Sequence, residues 1–347
     1  MEDRSVENGE HPSSLSSSPS DPRAWNDPSD PLSDPEEQRV LLSTLDSFRQ
    51  YRRQSHYNTT HRRRQNLYAL PPRHFKLLTA PPFSILDHLS AIDDAIDSNA
   101  DIAEAIFARG LASFNIPSPP VAAADTSFTS TSTSGNASIA ITTSTLWHNT
   151  ASPDQHSKAH STIRQFYRDW TATGFRAEVK PVLDLILSCL HKHNLVASPS
   201  THILVPGAGL GRLLFELTLA GYSATGSEIS YHQLLASDFI LNSTTRANSY
   251  TIFPFANTFT NNLTAAHQLR SYTVPDVHPG TAIALAHAAQ ETVGQMGMAA
   301  GDFTTAFASS EYEHAFDAVT TVYFIDTAPN LLRASLNQAP LNLPTIK

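Results

Sequence analysis

The sequence predicts an α/β protein built on a doubly wound parallel sheet. Three observations carry that prediction: a short apolar run, His202-Ile203-Leu204-Val205, ending in Pro206-Gly207; a glycine-rich turn after it; and a second short strand, Ser223–Ser227, reached through a helical stretch over Leu213–Ala220. An apolar run of this length that meets glycines is a buried strand entering a turn. With a further helix over Tyr231–Asn242, the segment makes a βαβ unit followed by a helix, the opening of a parallel sheet.

The rest of the chain is ordered around this unit. Residues 1–34 are rich in Ser, Pro, Asp and Glu and bury too little apolar surface to order themselves, so a disordered acidic tail is expected there. Residues 35–116 read as a helical region. Val40, Leu41, Leu45 and Phe48 share one face of a first helix, and Ile85 to Ile106 line a second over about Phe83–Phe114. Between them Arg52, Arg53, Arg62, Arg63 and Arg64 form the strongly basic stretch, read as a solvated helix face or as a nuclear-targeting or RNA-contacting element. Residues 117–156, Pro-rich and then Thr/Ser-rich, read as a flexible insertion. The α/β domain spans 157–333, entered through helices at Ser161–Thr171 and Val179–His193, and a divergent tail covers 334–347.

Composition narrows the function. A net charge of −9 in 347 residues argues against a general nucleic-acid binder. The single cysteine, Cys189, allows neither an intramolecular disulfide nor a multi-cysteine zinc site, and reads as a buried structural thiol. His191 and His193 stand two apart on a helix and point to different faces, which suits a solvated pair better than a metal site. Met1 to Pro22 has no apolar core and no stretch reaches about 18 apolar residues. A cytoplasmic or nucleocytoplasmic protein with no membrane partner is therefore expected.

The turn reads Gly207-Ala208-Gly209-Leu210-Gly211-Arg212. Its first glycine permits the tight strand-to-helix turn, its second lets a ligand touch the backbone, and its third allows helix and sheet to pack closely. A dinucleotide fingerprint has its third glycine one place later, where Arg212 stands, so a nicotinamide cofactor is disfavoured. Glu228, ending the second strand, can accept the ribose hydroxyls of an adenosine. Farther on, Asp302 can bond an adenine amino group while Phe303 packs on the ring. Phe316–Asp326 reads as a fourth strand, whose carboxyl end would bring Asp326 over the site; Asp326 also fits the N-cap of a following helix.

The motifs ILVPGAGLG (203–211), LLASDFILN (234–242), VPDV (274–277), AAGDF (299–303) and FIDTA (324–328), in that order along the chain, and STIRQFYRDW (161–170) resemble those of the carnosine N-methyltransferase family. The resemblance covers most of 36–333. It implies a Rossmann-like class I methyltransferase sheet, S-adenosylmethionine as cofactor, and N-methylation of the imidazole of carnosine or a similar histidine-containing dipeptide. Carried over by residue, it implies cofactor contacts at Gln165, Arg168, Gly207, Glu228, Asp302 and Phe303, with backbone near Val322 lining the adenosine pocket. The short turn, with Gly209 and Gly211, suits the methionine portion of that cofactor. Gln165 and Arg168, three apart on one helix, would reach its carboxylate. Asp326 would hold the substrate imidazole and serve as the catalytic residue; no metal is required.

After Arg333 the text departs from the family, whose members continue into further strands and His and Tyr residues of the substrate pocket. The expectation is a sheet truncated after its fourth strand, with an uncovered edge that allows a homo-oligomer. The alternative to an active enzyme is a non-catalytic homologue that keeps cofactor binding or acts as an interaction protein.

Overall fold

The computed structural model describes residues 34–117, 147–312 and 314–325. The acidic tail before Asp34, most of the insertion, Asp326 and the C-terminal tail lie outside the described residues. The chain divides into two compact units, Met1–Arg39 and Val40–Lys347. The described part of the first opens the helix Pro35–Arg49, with Glu36 and Glu37 in the first turn, where the helix dipole favours negative charge. All that follows concerns the second unit.

The strands among the described residues are β1 (His202–Pro206), β2 (Ser223–Glu228), β3 (Tyr250–Ile252), β4 (Tyr272–Val274), β5 (Met296–Ala300) and β6 (Ala318–Val319). Four form an all-parallel sheet in the order β5-β2-β1-β6, while β3 and β4 pair antiparallel outside it. β2 pairs along its length with β1 on one side and β5 on the other. The chain then crosses back over both to lay β6 beside β1, so the strand order reverses there. In open α/β sheets, ligands bind at the carboxyl ends of the strands beside such a reversal.

Alternation along β1 sets the layers. Ile203 and Val205 face Leu183, Ile186 and Leu190 of the helix Lys180–Lys192 and Leu214 and Leu217 of the helix Arg212–Leu219. Leu204 faces Phe316 and Val319 on the opposite side. Cys189 is half-buried against the first cluster. The fourth strand is shorter than the apolar run predicts. Only Ala318 and Val319 form it, and farther on Tyr323 adopts a left-handed conformation (φ 52°) that no strand continues through. The helix ahead of the sheet starts at Pro153, earlier than the apolar pattern suggests, since Ser152 caps it by accepting the Gln155 N–H and proline suits its first turn.

In the helical region, Ile85–Ser113 forms one helix of 29 residues that buries Leu89, Ile92, Ile96, Ile102 and Ile106. Leu41, Leu45 and Phe48 are buried as the pattern predicts, whereas Val40 is exposed. The basic stretch is not simply solvated. Arg52 bonds Asp97, Asp101 and Glu104, Arg64 pairs with Asp93, and His56 bridges Asp93 and Asp97. Those carboxylates form a stripe at helical spacing on Ile85–Ser113 that answers Arg52 and Arg64, whereas Arg53 and Arg62 are exposed, as the solvated-face reading expects.

Two histidines join the helical region to the α/β core. His232 Nε2 lies 3.0 Å from Ser47 Oγ and 3.1 Å from the Gln155 carbonyl. His160 sits 4.6 Å from the Tyr51 ring; its Nδ1 accepts from the Asn257 amide, which leaves Nε2 to donate to Ser55 Oγ. Burial pushes both histidines from the ordinary 6.5 down to about 4, so they are neutral in the folded protein. The unfolded chain takes up these protons first. Their contribution to stability is therefore complete above pH 6.5 and is lost as pH falls toward 4. We expect a lower urea midpoint at pH 5 than at pH 7.5, with the difference reduced in His232→Gln; equal midpoints would contradict this account.

Candidate functional site

The carboxyl ends of β1, β2, β5 and β6 open on one cavity of about 390 Å³. Its floor is the glycine turn. Gly207, Gly209 and Gly211 all have positive φ, which glycine adopts without a Cβ penalty. A Cβ on Gly207 would collide with the Phe324 ring, whereas one on Gly209 would find its nearest neighbours at 4.0 Å, among them Arg168 Nη2. Gly209 thus presents bare backbone to the cavity. Gly211 does not line it; it caps the helix Arg212–Leu219, where a Cβ would press Leu241 at 3.0 Å.

Glu228 is 8% exposed and engaged by the backbone. Oε2 accepts the Gly209 N–H at 3.0 Å, and Oε1 accepts those of Ile229 and Ser230. The carboxylate therefore braces the turn, and Oε2 keeps a lone pair to spare. Beyond β5, Asp302 caps the short helix Phe303–Ala306 through Oδ1, which accepts the Thr304 N–H at 2.7 Å. Its Oδ2 takes no part in that cap. Phe303 is 5% exposed and meets the Phe324 ring edge-on, with centroids 5.4 Å apart.

The helix Pro153–Trp170 supplies the facing wall. Gln165 Oε1 accepts from the Gln233 amide at 3.2 Å, so its own NH₂ is free to donate. Arg168 forms a two-bond fork with Asp169, at 2.7 and 3.0 Å. Those bonds, with the charges of Asp169 and Glu178, hold the guanidinium above its ordinary value. Of the residues singled out from sequence, Gln165, Arg168, Gly207, Gly209, Glu228, Asp302, Phe303 and Val322 line this single cavity. Asp326 lies outside the described residues.

Sequence reasoning missed Asp169, Glu178, Tyr323 and Phe324, which also line the cavity. It also missed what Arg212 does. Only 3% exposed, its guanidinium bonds both Asp276 oxygens (2.6 and 3.2 Å), Glu216 Oε1 (2.7 Å) and the Asp169 carbonyl, and lies 4.0 Å over the Phe175 ring. Asp276 in turn donates its N–H to the Trp170 carbonyl, and Trp170 Nε1 donates to the Leu210 carbonyl. An acidic residue in the VPDV motif beside an arginine closing the glycine turn was the available signal.

Parallel strands, a glycine turn at the carboxyl end of β1 and an acidic residue ending β2 define an α/β protein with its cavity at the carboxyl ends of a parallel sheet. Within that class the comparison is specific. The chain belongs to the carnosine N-methyltransferase family, whose model it matches over residues 145–335. It is 31% identical to a carnosine N-methyltransferase of Schizosaccharomyces pombe over 303 residues, 86% of this chain and 72% of that protein. Over 179 residues it is 37% identical to the Mus musculus enzyme, and over 178 residues 36% identical to the Drosophila melanogaster one. Those matches take in 50% of this chain but only 42% and 36% of the relatives' lengths.

Two variants test the architecture. Arg212→Met leaves Asp276 and Glu216 uncompensated and should cost about 3–5 kcal/mol in urea unfolding. Arg52→Met, at an exposed network, should cost less than about 1 kcal/mol; equal losses would refute the ranking. Gly207→Ala should lower the melting temperature more than Gly209→Ala, since both meet backbone strain of about 1–2 kcal/mol but only the former displaces Phe324.

Proposed function

We propose that this protein is an S-adenosylmethionine-dependent N-methyltransferase with a Rossmann-like class I sheet, acting on the imidazole of carnosine or a similar histidine-containing dipeptide. The observation that carries the reading is the convergence of the Gly209 backbone, Glu228, Asp302 and Arg168 on one cavity, in a chain of this family.

The donor set fits the cofactor. The Gln165 amide and the Arg168 fork suit its methionine carboxylate. The spare Glu228 lone pair suits a ribose hydroxyl, and Asp302 Oδ2 suits the adenine amino group, with Phe303 against the ring. When bound, S-adenosylmethionine supplies a sulfonium methyl group that passes to a ring nitrogen while sulfur keeps the electron pair of the broken C–S bond. The chain's own work is alignment. The helix wall and the braced turn fix one reactant, and the imidazole must arrive neutral with a lone pair aimed at the methyl group. Asp326 is assigned the other ring N–H, which selects the tautomer and opposes the positive charge that develops on the ring.

Calorimetry with S-adenosylmethionine followed by mass spectrometry with carnosine tests this reading. We expect binding, formation of an imidazole-methylated product, and at least tenfold weaker cofactor binding in Arg168→Ala. Binding without methyl transfer would leave the non-catalytic, cofactor-binding homologue. A folded sample that binds no cofactor would sink both.

A further inference from the structure

Four carboxylates line the cavity, and three are engaged. Asp169 is held by Arg168, Glu228 by three backbone N–H groups, and Asp302 by the cap it forms. Glu178 is exposed, and among the described residues no hydrogen bond or ion pair engages it. It stands in the π-helical turn Phe175–Val179, between the cap at Thr171 and the helix Lys180–Lys192. Such turns occur mostly as single insertions and often at functional sites. Here the turn seats Phe175 on the Arg212 guanidinium and leaves Glu178 on the cavity wall. Its charge is felt by Arg168 and Tyr167, which puts it at the Arg168 end.

The charge inventory says what it would meet. Arg212 is answered by Asp276 and Glu216, and Arg168 by Asp169. In the assignment above, Glu228 and Asp302 accept from neutral hydroxyl and amino groups. That leaves Glu178 as the cavity carboxylate without a hydrogen-bonded or ion-paired partner among the described residues. Its exposure suits the ligand that enters last rather than one sealed beneath it.

Resting on the proposed methyltransferase reading, we infer that Glu178 binds the free, protonated amino terminus of the dipeptide substrate. It is a specificity residue: it touches the substrate's cation and not the reacting nitrogen.

The test is calorimetric, on the full chain saturated with S-adenosylhomocysteine at pH 7, with carnosine and N-acetylcarnosine as probes. Glu178→Gln keeps the shape and removes the charge. It should weaken carnosine binding about fivefold, the size of a partly exposed ion pair. N-acetylcarnosine and S-adenosylmethionine affinities should not change, and the latter also reports folding. Equal weakening of both dipeptides, or of neither, overturns the inference. So does a loss confined to S-adenosylmethionine, which would give Glu178 to the cofactor's own ammonium group. A wild-type complex that holds cofactor but neither dipeptide refutes the substrate assignment itself. The reading thus fails in the wild type, and the inference fails only in the variant.

Discussion

The buried Arg212 guanidinium is the constraint on which the arrangement of the site depends. A charge so deep is tolerated only when its hydrogen-bonding positions are met. Here they are met by Glu216, one turn along its own helix, and by two pieces of chain far away in sequence: Asp169 at the end of another helix and Asp276 after β4. Leaving any of them would strand a desolvated charge. The glycine turn and the helix carrying Gln165 and Arg168 are therefore locked to each other, and the cavity's two walls hold a defined separation. The residue that replaces the last glycine of a dinucleotide fingerprint works as the joint between floor and wall.

Glu228 shows a second economy. A ribose-binding role for an acidic residue at the end of the second strand would ordinarily leave a bare carboxylate beside the ligand. Here three backbone N–H groups hold it, one of them from Gly209. The bonds that orient the carboxylate also fix the turn, so floor and acceptor are set together before any ligand arrives. Such preorganisation lowers the ordering cost of binding.

Much of this was legible in the residues. The apolar run into Pro206-Gly207, the glycine spacing and Glu228 gave β1, the turn and β2, because local sterics decide those features. The limits were non-local. Arg52 and Arg64 looked solvated because their acidic partners, Asp93 to Glu104, lie on another helix. The run at 316–326 looked like a long strand, yet only Ala318 and Val319 pair with β1, and no side-chain pattern announces the left-handed Tyr323 that follows. Glu178 was invisible for a different reason. A lone glutamate before a helix is commonplace until the fold shows which cavity it borders.

The strand pairings also make the cavity mechanically lopsided. On one side β1 and β2 run in register over five residues, and β2 continues in register with β5. On the other, β6 joins through Ala318 and Val319, and its continuation is pinned by aromatic packing, with Phe324 against Gly207 and Phe303. A densely hydrogen-bonded wall is stiff, whereas one held by ring contacts opens at lower free energy. A guest would take its orientation from the densely hydrogen-bonded side and its enclosure from the side held by ring contacts.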